Sequence, residues 1–177
     1  MVEPTEVKGI HAFREIKITS AKYGVKYLVV DEQDFELVNK HTWYLLKGRY
    51  TFYAATNVGI LGTKRHHTLL AHRLIMGITE KSIQVDHIDH DGLNDRRSNL
   101  RESTHSQNQV NRKSQKNAAS SYLGVSRAAQ TGGWRALIRV GGKTKTLGYR
   151  KDEIGAAKLY DEAAKKHHGE FANLNFK

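Results

Sequence analysis

The chain has 177 residues, no cysteine, a net charge of +11, 38% hydrophobic residues and a mean hydropathy of −0.62. This length suits one ordinary domain or two small ones, and the absence of cysteine excludes disulfides and thiolate zinc sites. No apolar run approaches the ~20 residues that cross a bilayer, and no basic stretch followed by an apolar one opens the chain, so neither a membrane span nor a secretory signal is expected and the setting reads as cytoplasmic.

In chain order, residues 1–24 read as an irregular lead-in. Val25 to Val30 reads as a strand, ended by the acidic run Asp31-Glu32-Gln33-Asp34, and Tyr50 to Ala55 reads as a second, aromatic strand. Leu69 to Met76 suits helix or strand, with Gly77 as its stop. A polar stretch rich in Asp, His and Asn fills residues 84–112, and an apparent helix from Thr104 to Arg112 closes it. Residues 113–121 lack large apolar side chains and read as a linker. From Trp134 to Val140 the chain alternates: Trp134, Ala136, Ile138 and Val140 share one face, and Arg135, Leu137 and Arg139 the other. Gly141-Gly142 makes a two-residue hairpin into Lys143 to Leu147. A helix is expected from Asp152 to His168, with Ala157, Tyr160 and Ala164 on one stripe, acids in the first turn, bases in the last and Gly169 as its stop.

The charge follows these divisions. Residues 1–81 carry +4, residues 82–112 carry −1 and residues 113–177 carry +8. A basic tail beside a centre that keeps its carboxylates suits an enzyme acting on a polyanion, one part holding phosphates and the other a cation.

Chemistry concentrates between Asp86 and Asn108. Hydrolysis of a phosphodiester needs a hard cation, which oxygen ligands from Asp and Asn suit, and a base that titrates near neutrality, which histidine provides. Asp86 beside His87 supplies ligand and base, Asn108 can supply a second oxygen, and Asn99 can position the imidazole. Taken singly these are ordinary turn residues; the force lies in the spacing, twelve residues from His87 to Asn99 and nine from Asn99 to Asn108.

That stretch closely resembles the HNH endonucleases of phage and group I intron homing type. The resemblance implies a ββα-metal (His-Me finger) core around one divalent ion, Mg²⁺ with Mn²⁺ able to substitute, held by Asp86 and Asn108. It makes His87 the general base and Asn99 the organiser of the loop that aims it. Leu100 completes the family's Asn-Leu pair, and Asn108 stands where the name calls for a second His, as in the homing subgroup. His90 departs from the commoner small residue of its turn, and reads either as a solvated loop residue or as a group near the phosphate or metal. His66, His67, His72, His167 and His168 have no ligand-like company along the chain and read as structural or DNA-facing. The run Ala71 to Gly77 resembles the segment before this motif in phage HNH proteins; Arg73 in it is open to a backbone phosphate or to a packing or capping role.

Residues Tyr122 to Phe176 resemble the plant ethylene-response-factor (APETALA-type) DNA-binding domain, through Gly124-Val125, the Trp134 strand, Leu147-Gly148-Tyr149, Ala156-Ala157, Tyr160-Asp161 and Leu174-Asn175-Phe176. That resemblance implies a three-stranded sheet in the major groove. Arg135 and Arg139 then face the DNA, with Arg127, Lys143 and Lys145 adding backbone contacts. Ser126 and Thr146 stand where the plant pattern has base-contacting Arg and Trp, so the plant target site is not carried over.

The expected architecture is therefore α+β, in four parts. Residues 1–81 form a β-rich region packed on the nuclease core, 82–112 the HNH motif, 113–121 a linker and 122–177 a small sheet-plus-helix DNA-binding domain. The expected activity is metal-dependent cleavage of double-stranded DNA with no other cofactor. The alternative is a DNA-binding regulator on an inactive nuclease core; RNA binding is disfavoured by the lack of an aromatic stacking platform.

Overall fold

A computed structural model describes residues 12–110, 119–129 and 132–176. The chain divides into two compact units, 1–102 and 103–177, and the division falls inside the expected HNH stretch. The fold is mixed α and β, and among the described residues no helix is long and apolar enough to cross a membrane.

The first unit begins with a hairpin where an irregular lead-in was expected. β1 (Phe13–Ser20) pairs antiparallel with β2 (Gly24–Asp31) in unbroken register, from Phe13 opposite Asp31 to Ser20 opposite Gly24. Ile16 and Ile18 alternate with charged residues, and Ile18 packs with Leu28 and Val30 in the core. The acidic run after β2 ends the strand as expected, but it also starts α1 (Glu32–Asn39), with Glu32 and Asp34 in the first turn, where carboxylates suit the helix dipole. β3 (Tyr44–Lys47), β4 (Phe52–Gly59) and β5 (His66–Leu70) form an antiparallel sheet with β4 in the centre. The ambiguous Leu69–Met76 run is both things: β5 ends at Leu70 and α2 (Ala71–Ile75) follows at once. Val38, Trp43, Leu45, Ala54, Ala71, Ile75, Val85, Leu93 and Leu100 complete this core. β6 (Gln84–His87) pairs with β7 (Leu100–Ser103), and one 3₁₀ turn, Arg97–Asn99, leads into β7.

The second unit carries α3 (His105–Val110), then an antiparallel sheet in the order β10-β9-β8, and α4 packed on it. β8 is Val125–Ala128, β9 Gly133–Val140, β10 Lys143–Arg150 and α4 Glu153–His168. The expected hairpin is present, and Gly141 and Gly142 take φ of +58° and +76°, the conformation that makes glycine the natural residue there. Asp152 caps α4 through Gly155 N–H at 2.7 Å, and Gly169 ends it at φ +54°. The alanine stripe packs as expected: Ala136 and Val125 meet Ala156 and Ala157, and Ile138 meets Tyr160 and Ala164. Of the expected linker, residues 113–118 lie outside the described residues.

Candidate active site

Asp86 and His87 are consecutive residues at the end of β6 and both are buried. Asn99, at the close of the 3₁₀ turn before β7, is buried beside them. Its backbone carbonyl accepts Ile88 N–H at 3.0 Å, and its side chain works on the loop between the strands. Oδ1 accepts Asp89 N–H at 3.0 Å, while Nδ2 donates to Asp89 Oδ1 at 2.9 Å and to the Asn94 carbonyl at 2.8 Å. Asn99 therefore ties down the loop that leaves His87, with no direct bond to the imidazole among these. Asn94 Nδ2 adds a bond to Asp89 Oδ2 at 2.7 Å, and Asp91 N–H one to Asp89 Oδ1 at 2.8 Å. Burial works to raise the Asp89 carboxyl, but the bonds from Asp91, Asn94 and Asn99 outweigh it and hold the group below the usual carboxylate range.

The ring of His87 packs against Asp95, His72 and Tyr53. Its Nε2 lies 2.8 Å from Asp95 Oδ1, the His72 ring stands nearly perpendicular at 5.0 Å, and the Tyr53 ring lies at 5.8 Å. Asp95 has no exposed surface, and burial pushes its carboxyl up against the opposing effect of His87. Burial likewise pushes the His72 imidazole down to about 3, so that ring is neutral near pH 7. Burial also raises the Tyr53 phenol, helped by Asp86 and Asp95. The expectation that His72 lacks ligand-like company is corrected here, because α2 brings it to His87 from fifteen residues away in sequence. One nitrogen or oxygen from each of His72, His87 and Asp95 lies within 4.8 Å of the others.

Asp86 is held differently. Arg101 Nε and Nη2 both donate to its Oδ2, at 2.9 and 2.7 Å. A positive group already rests on this carboxylate, whose oxygens are donors of the kind a hard divalent ion takes. Asn108 is half-buried on α3, in the second unit, where its N–H donates to the Thr104 carbonyl at 3.0 Å.

The surrounding structure is built to hold this loop. Arg97 forks onto Asp34 through two bonds of 2.8 Å and reaches the Ile75 carbonyl at 2.9 Å, while its own N–H meets Asp31 Oδ2 at 2.8 Å. The acids of the β2–α1 junction thus anchor the 3₁₀ turn that delivers Asn99. Gly92 permits the loop to approach β4, since a Cβ there would meet the Phe52 carbonyl and the Tyr53 ring at 2.5 Å. His90 takes φ +67°, the left-handed region that residues other than glycine rarely adopt. Arg73 donates to the Ile83 and Glu80 carbonyls at 2.7 and 2.6 Å, so of its two expected roles the structure supports the packing one.

In the second unit, cross-strand register sorts the basic residues by face. Arg135 lies between Ser126 and Tyr149, Leu137 opposite Thr146 and Arg139 opposite Thr144, all on the face turned away from α4. Arg139 is exposed, whereas Arg135 is half-buried with an Nε that has no partner among the described residues. Arg127, Lys143 and Lys145 belong to the opposite face, paired with Trp134, Val140 and Ile138, and are exposed at its margins. The Arg127 guanidinium stacks over the Trp134 ring at 4.3 Å.

Asp95, His72 and Arg101 were not singled out from the sequence. Asp95 lies within the motif but eight residues from His87, and His72 belongs to another element, so neither pairing has a local signal.

Comparison with known proteins places the chain in a family. Residues 69–110 match the family described as HNH endonuclease. An uncharacterized HNH endonuclease of Acanthamoeba polyphaga mimivirus is 32% identical over 149 residues, covering 84% of this chain and 74% of the relative. That stretch is longer than the whole first unit, so the similarity reaches into the second. No solved structure matches the chain.

Proposed function

The chain belongs to the HNH endonuclease family and is a DNA endonuclease, and from that premise we propose that it hydrolyses phosphodiester bonds of double-stranded DNA with His87 as general base and one divalent metal ion. The observation that carries this reading is the construction around β6. Asp86 and His87 leave the strand together, Asn99 fixes the turn that follows, and the His87 ring is clamped between Asp95, His72 and Tyr53. Burial and hydrogen bonding of this kind keep a base in one orientation, which is what proton transfer in a transition state requires.

In the proposed mechanism His87 takes the proton of the attacking water. Asp86 and Asn108 would hold the ion, Mg²⁺ by the hardness of their oxygens, with Mn²⁺ able to substitute. When bound, that ion polarises the phosphoryl oxygens and stabilises the leaving oxygen. Arg101, bonded to Asp86 Oδ2, keeps that carboxylate turned into the site. Arg135 and Arg139 on the open sheet face hold DNA, and Arg127, Lys143 and Lys145 reach flanking phosphates from the sheet margins. The setting we propose is a homing-type nuclease carried by a phage and acting in the host cytoplasm, nicking one strand or cutting both.

The test is incubation of the full chain with supercoiled plasmid and Mg²⁺, with and without EDTA. Metal-dependent conversion to nicked or linear DNA is expected. One observation favours the second reading, a DNA-binding regulator: Arg101 already neutralises the carboxylate that would hold the ion. Binding without cleavage at any Mg²⁺ or Mn²⁺ concentration would establish that reading instead.

A further inference from the structure

We propose that Asp95 is the positioning residue of His87, fixing its imidazole in the Nε2–H tautomer so that Nδ1 is the atom that accepts the proton of water. This rests on the reading of His87 as general base.

The geometry is specific. Asp95 Oδ1 lies 2.8 Å from His87 Nε2, and the carboxylate has no exposed surface. We take Asp95 in its ionised form, in which it only accepts hydrogen bonds; the nitrogen facing it then carries the proton and the lone pair lies on Nδ1. Asn99, which the spacing made the positioning group, bonds to the loop backbone and to Asp89 instead. The two tasks are therefore divided: Asn99 sets where the loop runs, and Asp95 sets how the ring is turned.

Asp95 is itself held by a strand. Its N–H donates to the Val29 carbonyl at 2.8 Å, Val29 N–H donates to the Leu93 carbonyl at 2.8 Å, and Val29 and Asn94 form a parallel bridge. Residues 93–95 thus run briefly alongside β2, inside the sheet hydrogen bonding of the unit. The two adjacent cations do not neutralise this carboxylate, since Arg96 turns to Asp31 and Arg97 to Asp34. His87 is its hydrogen-bond partner, and its second oxygen, Oδ2, has no hydrogen-bond partner among the described residues. A buried carboxylate beside an imidazole is a poor way to gain stability, because desolvation offsets most of the attraction. It is an effective way to choose a tautomer, and a base oriented by a third group is a recurring catalytic arrangement. The neutral His72 ring, edge-on at 5.0 Å, and the Tyr53 ring supply the walls that keep the imidazole from turning over.

The experiment uses the full chain with Mg²⁺ and three variants, His87→Ala, Asp95→Asn and Asp95→Ala. Single-turnover plasmid cleavage at saturating protein is measured together with DNA affinity, thermal melting and the long-range ¹H–¹⁵N spectrum of the histidine rings, with the His87 signals assigned by their loss in His87→Ala. The wild-type spectrum should show His87 protonated at Nε2. Asp95→Asn, whose amide both donates and accepts, should mix the tautomers and lower the cleavage rate about 100-fold with affinity and melting unchanged. Asp95→Ala should lower it at least as far. If Asp95→Asn folds and cuts at the wild-type rate while His87→Ala is inactive, the Asp95 proposal is wrong and the base assignment stands. If His87→Ala itself cuts at the wild-type rate, the base assignment is wrong. Should both Asp95 variants melt early, the wild-type spectrum decides, and an Nδ1–H tautomer there overturns the proposal.

Discussion

The two units of this chain solve opposite problems with opposite surfaces. The first, with a net charge of +2, has a core of large aliphatics such as Ile18, Leu28, Val30 and Val38, and buries six polar groups at or near the site: Asp34, His72, Asp86, His87, Asp95 and Asn99. The second, at +9, closes its core on Ala136, Ala156, Ala157 and Ala164 around Tyr160 and leaves Arg127, Arg139, Lys143 and Lys145 exposed on the faces and margins of a sheet. Proton transfer needs groups held still and out of water, and a rich apolar core must support the expense of burying them. Attraction to a polyanion needs only exposed charge, which small cores can carry. The contrast predicts that substitutions in the first unit change rate and those in the second change affinity.

The sharpest test of that division is His87→Ala. Cleavage should fall about 1,000-fold, the range lost with a general base, while gel-shift affinity stays at the wild-type value; a parallel loss of affinity would dissolve the contrast. Next is Gly124→Ala. Gly124 takes φ +69°, and a Cβ there would clash with the Tyr160 ring and lie 2.5 Å from the Leu137 carbonyl. The second unit should lose about 3 kcal/mol, seen as an earlier thermal transition assigned to that unit by hydrogen exchange, together with weaker DNA binding.

Arg97→Ala is the mirror experiment, leaving the Asp34 carboxylate, 4% exposed, without its fork. A loss of about 2 kcal/mol from the first unit is expected, by urea titration, and Arg97→Lys should restore little of it because an ammonium cannot reproduce the paired bonds. The smallest effect is expected from Arg139→Ala. Affinity should drop a few-fold and the slope of log K against log salt should fall by about 1, with melting and the rate at saturating DNA unaltered. An unchanged salt slope would remove this sheet face from the DNA contact.

Much of the second unit was legible because its signals are local. The Trp134–Val140 alternation, the Gly141-Gly142 turn and the capped alanine-striped helix each need only neighbours in sequence, and all are present. Of the N-terminal hairpin, β2 was legible as a strand but β1 was not: in β1 only Ile16 and Ile18 mark the inner face, too few to separate a strand from a loop. The acids after β2 were read as a terminator and also open α1, since the same residues serve a strand end and a helix start. At the site, Asp86, His87 and Asn99 could be found by spacing, and the structure brings them together. Asp95 and His72 could not, because their meeting with His87 is made by β2 and α2, through contacts that no spacing encodes.

The pairing of residues 93–95 with Val29 has a consequence for how this nuclease can be divided. The stretch recognisable as HNH, residues 69–110, is not a portable cassette. Its turn is completed by a strand some forty residues upstream of the stretch, and its 3₁₀ entry by one acid at the end of that strand and another in the first turn of α1. An excised 69–110 peptide should retain every motif residue and still fail to hold the imidazole. The smallest transplantable piece begins no later than Phe13, so recombination that shuffles such nucleases would have to keep its breakpoints outside the hairpin.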